Sequence, residues 1–493
     1  MSERNGLRYG LLGLALLILL ALLALIIPRP NSAPAPIASA DPDKLESLAA
    51  LGDQAPSRRD LNIQSWQTAE GAKVLFVEAR ELPMFDLQLT FAAGSSHDDG
   101  VAGLASLTNA MLNEGVPGKD VSAIAAGFED LGANFGNGAF RDMAITSLRS
   151  LSAPEQREPA LQLFTQVIGQ PTFPDDSLAR IKNQMLAGFE FQKQNPGKLA
   201  SLALFERLYG SHPYAHPSDG TAESVPTISR EQLQAFHAKA YTAQNAVIAL
   251  VGDLSRSDAE ALANQVSAAL PKGPALPRIA QPETPEPGRQ HIEFPSNQTH
   301  LMIAQLGIDR RDPDYAALYL GNQVFGGGGF GTRLMTEVRE KRGLTYGVYS
   351  GFSAMQARGP FMINLQTRAE LGDGTLQLVK DMLTDFVRNG PTADELNNAK
   401  RELAGSFPLS TASNADIVGQ LGSMGFYDLP LSYLEDFVRD VQALNVEQVK
   451  AAMAKHLNPE ALVIVTAGPT VTQEALPPPT DRPAEQPSGV PEH

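Results

Sequence analysis

Internal duplication is the feature that most constrains the fold of this chain. Near the end of each half, a helix-start pattern leads into a short β-branched run that closes on a glycine. At one constant offset, Glu231 falls on Glu447. The same offset places Gly252 on Gly468 without a gap. Because a match of this length and order is improbable by chance, the sequence predicts a duplicated domain.

Two proline-rich stretches divide the 493 residues, and neither shows apolar periodicity. Such composition is typical of extended linkers and disordered tails. The two blocks between them are of ordinary domain size. Read in chain order, the predicted parts are residues 1–40 as a membrane anchor or signal with its linker, 55–270 as the N-terminal domain, 271–289 as a linker, 290–468 as the C-terminal domain and 469–493 as a disordered tail.

Each block repeats one order of secondary-structure patterns. Strand-like alternation opens it, at residues 86–91 and 300–305, and a β-branched run closes it, at residues 246–251 and 462–466. Helical patterns and further strands lie between, without strict alternation of strand and helix. The predicted class is therefore α+β: two duplicated domains, each a mainly antiparallel sheet with helices packed on one face.

The N-terminus carries a membrane or export signal. Arg4 and Arg8 precede an unbroken apolar run at residues 11–27, which reaches the lower length limit of a bilayer-spanning helix. The positive charge before the run favours a cytoplasmic N-terminus, so we expect the body at the periplasmic face of the bacterial inner membrane. An A-x-A sequence at residues 38–40 leaves a cleaved signal peptide open.

Composition excludes several classes of function. The net charge is −16 and no dense basic run is present, so no nucleic-acid partner is expected. Cysteine is absent, which rules out disulfides, cysteine nucleophiles and thiolate metal sites.

Residues 103–112 read G-L-A-S-L-T-N-A-M-L. This run resembles the zinc-binding helix of the insulinase/pitrilysin family, the inverzincins, whose H-x-x-E-H motif places two histidines on zinc and a glutamate as general base. At the three motif positions this chain has Ser106, Asn109 and Ala110. None of them offers an imidazole or a carboxylate, so neither zinc binding nor water activation is available to them.

The resemblance also implies a third zinc ligand, a glutamate on a later helix. The matching positions are Ala187 and Gly188, neither of which can bind metal, and Glu190 would need a shift of register. We therefore expect no metal site and no cofactor in this chain, with zinc held by a partner subunit.

Residues 325–350 resemble the second signature of the same family, in which an arginine and a tyrosine reach the zinc site from the C-terminal half or from a partner. Arg339 and Tyr346 have the required spacing. The residues themselves predict a helix that ends at Gly343 and then a strand. A guanidinium and a phenol suit a substrate carbonyl or an oxyanion. An alternative stays open, in which Arg339 pairs with a surface acid and Tyr346 packs in the core.

Three further features indicate structural roles. The glycines at 326–329 are not followed by Gly-Lys-Ser/Thr, which favours a flexible turn over a phosphate loop. His212 and His216 have prolines beside them that forbid a shared helix face, so a structural role is favoured for His212. Asp98 and Asp99 are predicted to form a solvated turn.

The resemblance implies a non-catalytic subunit of a heteromeric zinc metallopeptidase. Its partner would be a homologous subunit with an intact H-x-x-E-H motif, and its substrates unfolded peptides. Arg339 and Tyr346 would act in trans, and the chain alone would be inactive. Two alternatives stay open: a structural or peptide-binding scaffold with no catalytic contribution, and an independent metallopeptidase with relocated ligands.

Overall fold

The computed structural model describes residues 61–480. The first half contains a six-stranded sheet and a separate two-stranded hairpin. Its strands are β1 (Gln64–Gln67), β2 (Lys73–Glu78), β3 (Met84–Phe91), the hairpin strands β4 (Gly115–Val116) and β5 (Lys119–Asp120), β6 (Asn134–Ala139), β7 (Ala144–Leu151) and β8 (Ala246–Gly252). Its helices are α1 (Leu104–Ala110), α2 (Val121–Glu129), α3 (Pro154–Gly169), α4 (Asp175–Gln192), α5 (Pro196–Tyr209), α6 (Arg230–Ala240) and α7 (Arg256–Ala269).

The second half contains a five-stranded sheet. Its strands are β9 (Gly288–Glu293), β10 (Gln298–Leu306), β11 (Val348–Phe352), β12 (Pro360–Arg368) and β13 (Val463–Gly468). Its α-helices are α8 (Tyr315–Asn322), α9 (Gly372–Asn389), α10 (Ala393–Ser406), α11 (Asn414–Phe426), α12 (Tyr433–Ala443) and α13 (Val446–His456). Two π-helical turns, Gln323–Gly327 and Met335–Glu340, lie between α8 and β11.

The two sheets have the same strand order. The first runs β1-β2-β8-β3-β7-β6, and the second runs β9-β13-β10-β12-β11. In each sheet one pair is parallel, β2 with β8 and β9 with β13, and the remaining pairs are antiparallel. The predicted α+β class with two duplicated, mainly antiparallel domains is confirmed, and β1 is the strand that the first sheet adds.

The duplication extends to the helix caps. Ser229 accepts a hydrogen bond from the N–H of Gln232, whose side chain accepts one from the N–H of Ser229. Asn445 and Gln448 form the same reciprocal cap at the start of α13. Each cap satisfies N–H groups that have no partner inside the helix. The two helices that precede the closing strands therefore begin in the same way.

The helices of each half pack on one face of its sheet, as predicted, and a helix from the other half covers the opposite face. The second face of the first sheet packs against α11, through Ile417, Leu421 and Met424. The second face of the other sheet packs against α5, through Leu204 and Leu208. Strands β8 and β13 are accordingly buried at every residue. Strands buried on both faces show continuous apolar runs, and the closing strands of this chain have that pattern.

The exchange of helices joins the two halves into one packed body. Helix α5 belongs to the first half and covers the second sheet, while α11 belongs to the second half and covers the first sheet. Gly425 allows α11 to approach closely, because a Cβ at that position would lie 2.3 Å from the Val247 side chain. The core of each half is therefore completed by the other half.

The linker after α7 is extended and held in place. The Nε2 of His212 donates to the carbonyl of Ala280 at 2.8 Å, while its Nδ1 accepts from the N–H of Tyr214. The guanidinium of Arg358 donates to the carbonyl of Pro282 at 2.8 Å. His212 therefore has the structural role that its neighbouring prolines predict.

The predicted disordered tail differs from the structure over residues 469–480. This segment lies against the second half, and Leu476 packs beside its core. The N–H of Glu474 donates to the carbonyl of Glu370 at 2.7 Å. Proline-rich composition predicts disorder, but an apolar side chain and several polar groups find partners in the folded chain.

The predicted membrane location requires correction. No helix within residues 61–480 is long and apolar enough to cross a bilayer. The apolar run at residues 11–27, which carried the prediction, lies outside the described residues. The location at the inner membrane therefore has no part in the proposed function.

Candidate functional site

The helix of the degenerate motif, α1, is held at its start by a buried aspartate. The Oδ2 of Asp98 accepts from the N–H of Gly103 at 2.8 Å, and its Oδ1 accepts from the N–H of Ala105 at 2.7 Å. Gly103 has a φ of +92°, a conformation that favours glycine. Asp98 is only 1% exposed, so the predicted solvated turn is wrong for this residue. Asp99 does face solvent and pairs with Lys239.

Burial controls the charge state of the groups around Asp98. It raises the pKa of Asp98 to about 7, against the two backbone hydrogen bonds, which lower it. The Nδ1 of His216 lies 3.8 Å from the Oδ2 of Asp98. Burial also lowers the pKa of His216, so the imidazole is neutral at pH 7. The carboxyl group of Asp98, which caps α1, is therefore only partly ionised near neutral pH.

Asn109 occupies the general-base position of the motif and is a packing residue in this chain. It is 2% exposed. Its Nδ2 donates to the hydroxyl of Tyr241 at 3.2 Å and to the carbonyl of Ile145 at 3.3 Å. Tyr241 is fully buried and stacks on His237, with the ring centroids 5.2 Å apart. The amide therefore links α1 to β7 and to the residue that follows α6.

The remaining motif positions offer no ligand set. Ser106 is half-buried, and its hydroxyl donates to Asp219 at 3.4 Å. Ala110 is half-buried, and Ala187 and Gly188 lie on α4. Each position lacks the imidazole or carboxylate that zinc requires, so the residues present do not fit a zinc ion.

Glu190 does not replace the missing third ligand. Its side chain is exposed at the end of α4, and its Oε1 lies 2.7 Å from the Nζ of Lys193. That ion pair is local to the end of the helix.

Sequence reasoning missed one cluster with metal-ligand chemistry. Among residues 61–480, Asp312, Asp314 and His456 bring one ligand atom each within 4.8 Å of one another. The Nζ of Lys455 lies 2.6 Å from Asp314, so a cation already neutralises that carboxylate. The Nε2 of His456 lies 2.8 Å from the Oδ2 of Asp314, the same oxygen that Lys455 contacts. The cluster is a half-buried ion-pair network, and His456 is too far from the two aspartates in the sequence for spacing to reveal it.

The first glycines of the tract at 326–329 lie directly against other groups, which corrects the prediction of a flexible turn for that part, whereas Gly329 has open space around it and a φ of +83°. A Cβ on Gly326 would lie 2.4 Å from the hydroxyl of Ser350, and a Cβ on Gly327 would lie 2.3 Å from the Nδ2 of Asn322. Asn322 and Ser350 bond to each other twice, at 2.6 and 3.0 Å. Glycine is needed at these positions because the backbone lies directly against this pair.

A strong ion pair anchors the start of the segment that carries Arg339 and Tyr346. The guanidinium of Arg333 forms two parallel bonds of 2.7 Å with the carboxylate of Glu395 and donates to the carbonyl of Gly390 at 3.0 Å. These bonds lower the pKa of Glu395 to about 2. Because Glu395 lies in the first turn of α10, the segment is attached to that helix.

Arg339 and Tyr346 lie on either side of a sharp turn. Gly343 has a φ of +61°, and its N–H donates to the carbonyl of Arg339 at 2.9 Å. The predicted helix end at Gly343 is confirmed. The guanidinium of Arg339 lies 4.6 Å from the ring centroid of Phe330. Tyr346 is 82% exposed, so the alternative that it packs in the core is wrong.

Comparison with known proteins now gives the family. Residues 227–403 match the family described as peptidase M16 inactive domain. A crystal structure of a peptidase M16 inactive domain from Pseudomonas fluorescens is 74% identical to this chain. It covers 85% of this chain and 100% of its own length, with a TM-score of 0.83. This chain belongs to the M16 peptidase family. The resemblance to the insulinase/pitrilysin family is thereby confirmed.

Other M16 relatives extend the comparison. The protein named non-peptidase homolog YmxG from Helicobacter pylori is 28% identical over 393 residues, which are 78% of this chain and 88% of that protein. An uncharacterized zinc protease YmxG from Bacillus subtilis is 23% identical, over 83% of this chain and 98% of its own length. The crystal structure of a Helicobacter pylori protease has the same fold, with a TM-score of 0.77 at 15% identity.

Within the M16 family this chain is a non-catalytic member. Ser106, Asn109 and Ala110 stand at the three motif positions, and Asn109 is committed to packing against Tyr241. The second signature keeps both Arg339 and Tyr346. The duplicated fold has therefore lost the chemistry of one half and kept the signature of the other.

Proposed function

We propose that this chain is the non-catalytic subunit of a heteromeric zinc metallopeptidase. Its partner is a homologous M16 subunit with an intact H-x-x-E-H motif, and the substrates are unfolded peptides. Arg339 and Tyr346 act in trans at the partner's active site. The exposure of Tyr346 on a turn that hydrogen bonds and ion pairs hold firmly is the observation that carries this proposal.

The surface around the turn has the composition of an interface. Phe330, Tyr346 and Tyr349 are 65%, 82% and 49% exposed, and all three belong to the segment between α8 and β12. Exposed apolar groups of this size mark sites of interaction on soluble proteins. Tyrosine and arginine are also the residues most often found at the centres of protein interfaces. A partner surface that covers this segment would bury them.

The chemistry of the pair suits the stabilisation of an oxyanion. A guanidinium and a phenol are both hydrogen-bond donors, and donors placed in advance stabilise the negative charge that develops during peptide hydrolysis. The partner's zinc, when bound, supplies the activation of the attacking water. In this chain the contribution is limited to orienting the peptide carbonyl and donating hydrogen bonds to its oxygen.

The test measures turnover of the assembled complex after Arg339→Ala or Tyr346→Phe. Each substitution should lower kcat about a hundredfold, because removing one oxyanion donor typically costs about 3 kcal/mol. Assembly, measured by co-purification with the partner, should not change. Tyr349→Phe is the matched control, since it removes an exposed phenol from the same segment. The chain without its partner serves as the blank and should cleave no peptide.

The alternative function is a structural or peptide-binding scaffold. It would hold the partner or its substrate without contributing a group to the reaction. If Arg339→Ala and Tyr346→Phe both assemble normally and turn over peptide at the wild-type rate, the scaffold replaces the catalytic role in trans.

A further inference from the structure

Residues 469–480 form an extended segment along the second half, which we call the C-terminal strap. Its first part is fixed beside the start of α9. Gln473 accepts from the N–H of Asp373 at 2.9 Å and donates to the carbonyl of Ala369 at 3.0 Å. The hydroxyl of Thr470 donates to Glu293 at 2.6 Å. These bonds hold one end of the strap.

The other end of the strap reaches the turn that carries Arg339 and Tyr346. The N–H and the hydroxyl of Thr480 both donate to the carbonyl of Lys341, at 2.8 and 3.0 Å. The last carbonyls of a helix have no partner within it, so Thr480 satisfies a group that would otherwise lack one. Lys341 lies between Arg339 and Tyr346 in the chain.

A second contact ties the strap to the same turn. The Nη1 of Arg342 donates to the carbonyl of Pro477 at 3.0 Å. The same guanidinium pairs with Glu337 at 3.0 Å, and the Nζ of Lys341 pairs with Glu337 at 3.1 Å. Glu337 lies in the π-helical turn that also contains Arg339. Arg342 therefore connects the strap to Glu337 and to the start of the turn.

An apolar contact secures the strap between its two ends. The side chain of Leu476 packs beside the second core. A Cβ on Gly374 would lie 2.9 Å from that side chain, so glycine at this position of α9 leaves room for it. The strap thus has polar contacts at both ends and an apolar contact in the middle.

We propose that the C-terminal strap positions Arg339 and Tyr346, with Thr480 as its main positioning residue. The catalytic part of this inference rests on the proposed function in trans. Without the strap, the carbonyl of Lys341 loses its bonds from Thr480, and the guanidinium of Arg342 loses its bond to Pro477, so the turn at residues 341–346 relaxes. A displacement of about 1 Å in a group that contacts the transition state can cost about a hundredfold in rate, so modest loosening has a measurable effect.

The first test compares two shortened chains, each assembled with the catalytic partner. A chain that ends at Glu474 loses the contacts of Leu476, Pro477 and Thr480 but keeps those of Gln473. A chain that ends at Ala484 keeps the whole strap and is the matched control. The shorter chain should have a kcat about tenfold lower with KM nearly unchanged, and the control should match the full chain.

The second test measures the turn itself, without the partner. Trypsin cuts after Lys341 and Arg342, and hydrogen exchange reports the amides of residues 341–347. Both cleavage and exchange should be faster in the chain that ends at Glu474 than in the control. This readout depends on the strap alone and needs no catalytic activity.

Two further variants separate positioning from general stability. Thr480→Val removes the hydroxyl donor and should lower kcat, whereas Thr480→Ser restores the donor and should recover it. In a background that carries both Arg339→Ala and Tyr346→Phe, the shortened chain should lower kcat by little more than the double variant alone, because the strap acts through these two groups. A purely structural role would give additive losses.

The outcomes distinguish the two proposals. Slow tryptic cleavage and unchanged kcat in the chain that ends at Glu474 would overturn the strap inference. A loosened turn together with wild-type turnover in Arg339→Ala and Tyr346→Phe would instead overturn the proposed function, and also the catalytic role of the strap. A loosened turn with additive losses of kcat would reduce the strap to a stabilising element.

Discussion

The motif helix of the first half and the signature segment of the second half show two different outcomes for the signature positions of a duplicated fold. In the first half, Asn109 stands where the family has a general base, and it is buried and hydrogen-bonded to Tyr241. In the second half, Tyr346 stands on a tight turn with most of its surface in solvent. In the first region the residue at the general-base position, Asn109, packs in the core. In the second region the side chain of Tyr346 remains exposed to solvent.

The difference depends on which residues support the local structure. On α1 the motif residue itself makes the bonds to β7 and to Tyr241, so function and packing compete for one side chain. In the signature segment, Arg333 and Glu395 provide the anchor, and Arg339 and Tyr346 take no part in it. A segment supported by other residues can keep exposed donors without loss of stability.

The largest expected effect comes from restoring the acidic residue of the motif. Asn109→Glu should lower the free energy of unfolding by about 4 kcal/mol, because a carboxylate would be buried beside the carbonyl of Ile145 without a counter-charge. Urea unfolding measures this loss. Ser106→Ala on the same helix is the control, since it removes only a 3.4 Å bond, and should change stability by less than about 0.5 kcal/mol.

The same experiment can break the comparison. Wild-type stability of Asn109→Glu would mean that the first half has not been committed to packing. Combining Ser106→His, Asn109→Glu and Ala110→His should still give no stoichiometric zinc, because Ala187 and Gly188 supply no third ligand. Metal analysis that found one zinc per chain in this triple variant would contradict the inference that the missing third ligand prevents zinc binding.

The second prediction concerns the pH dependence of the cap on α1. Burial raises the pKa of Asp98 from 3.8 to about 7, so the folded chain holds this proton more tightly than the unfolded chain. The associated stability is fully present below about pH 4 and is lost as pH rises through 7. The free energy of unfolding should fall by up to about 4 kcal/mol over that window.

Asp98→Asn provides the comparison, because it keeps an acceptor for one backbone N–H and cannot ionise. Histidines near the cap also titrate, so the informative quantity is the difference between the two pH profiles. That difference should change between about pH 4 and pH 7 in the sense that the variant gains relative stability as pH rises. If the difference in unfolding free energy between the two chains did not change with pH, Asp98 would be ionised over the whole range from pH 4 to pH 7. The backbone hydrogen bonds to its carboxylate would then offset the effect of burial on its pKa.

The smallest expected effect is on the stability of the second half. Arg339→Ala and Tyr346→Phe should each change the free energy of unfolding by less than about 0.5 kcal/mol. Glu395→Gln is the contrasting variant and should cost about 1 kcal/mol, because it weakens the paired bonds to Arg333. In the wild-type chain the pKa of Glu395 is lowered, so the stability from its bonds to Arg333 is fully present above about pH 4.5. That stability is lost as the pH falls toward 2.

Thermal or urea unfolding of the isolated chain measures all three variants. A loss of more than about 1 kcal/mol in Tyr346→Phe would show that the phenol supports the fold, and the contrast between the two regions would then disappear.

Much of the fold could be predicted because its signals are local and repeated. The reciprocal caps at Ser229 and Asn445 begin equivalent helices, and the β-branched runs after them become β8 and β13. The helix end at Gly343 also follows from a local signal, because glycine tolerates the positive φ found there. Each of these features depends on residues only a few positions apart.

Other features could not be predicted because they depend on contacts between distant segments. The chain shows that β8 and β13 are apolar throughout, but not that α11 and α5 cross to cover them. Composition predicts disorder after residue 468, but the bonds of Thr480 to Lys341 hold that segment in place. Asp98 looks like a solvated turn residue until the fold encloses it.

The sequence by itself determined which chemistry the motif positions of this protein lack. Ser106, Asn109 and Ala110 cannot bind zinc in any conformation, because side-chain chemistry does not depend on the fold. Only the tertiary structure decided that Asn109 is a core residue, that Tyr346 is exposed and that the strap is hydrogen-bonded to the turn before Tyr346. Whether a side chain is buried or exposed, and which contacts hold it in place, depends on the residues that folding places beside it. In this protein those residues are far apart in the chain.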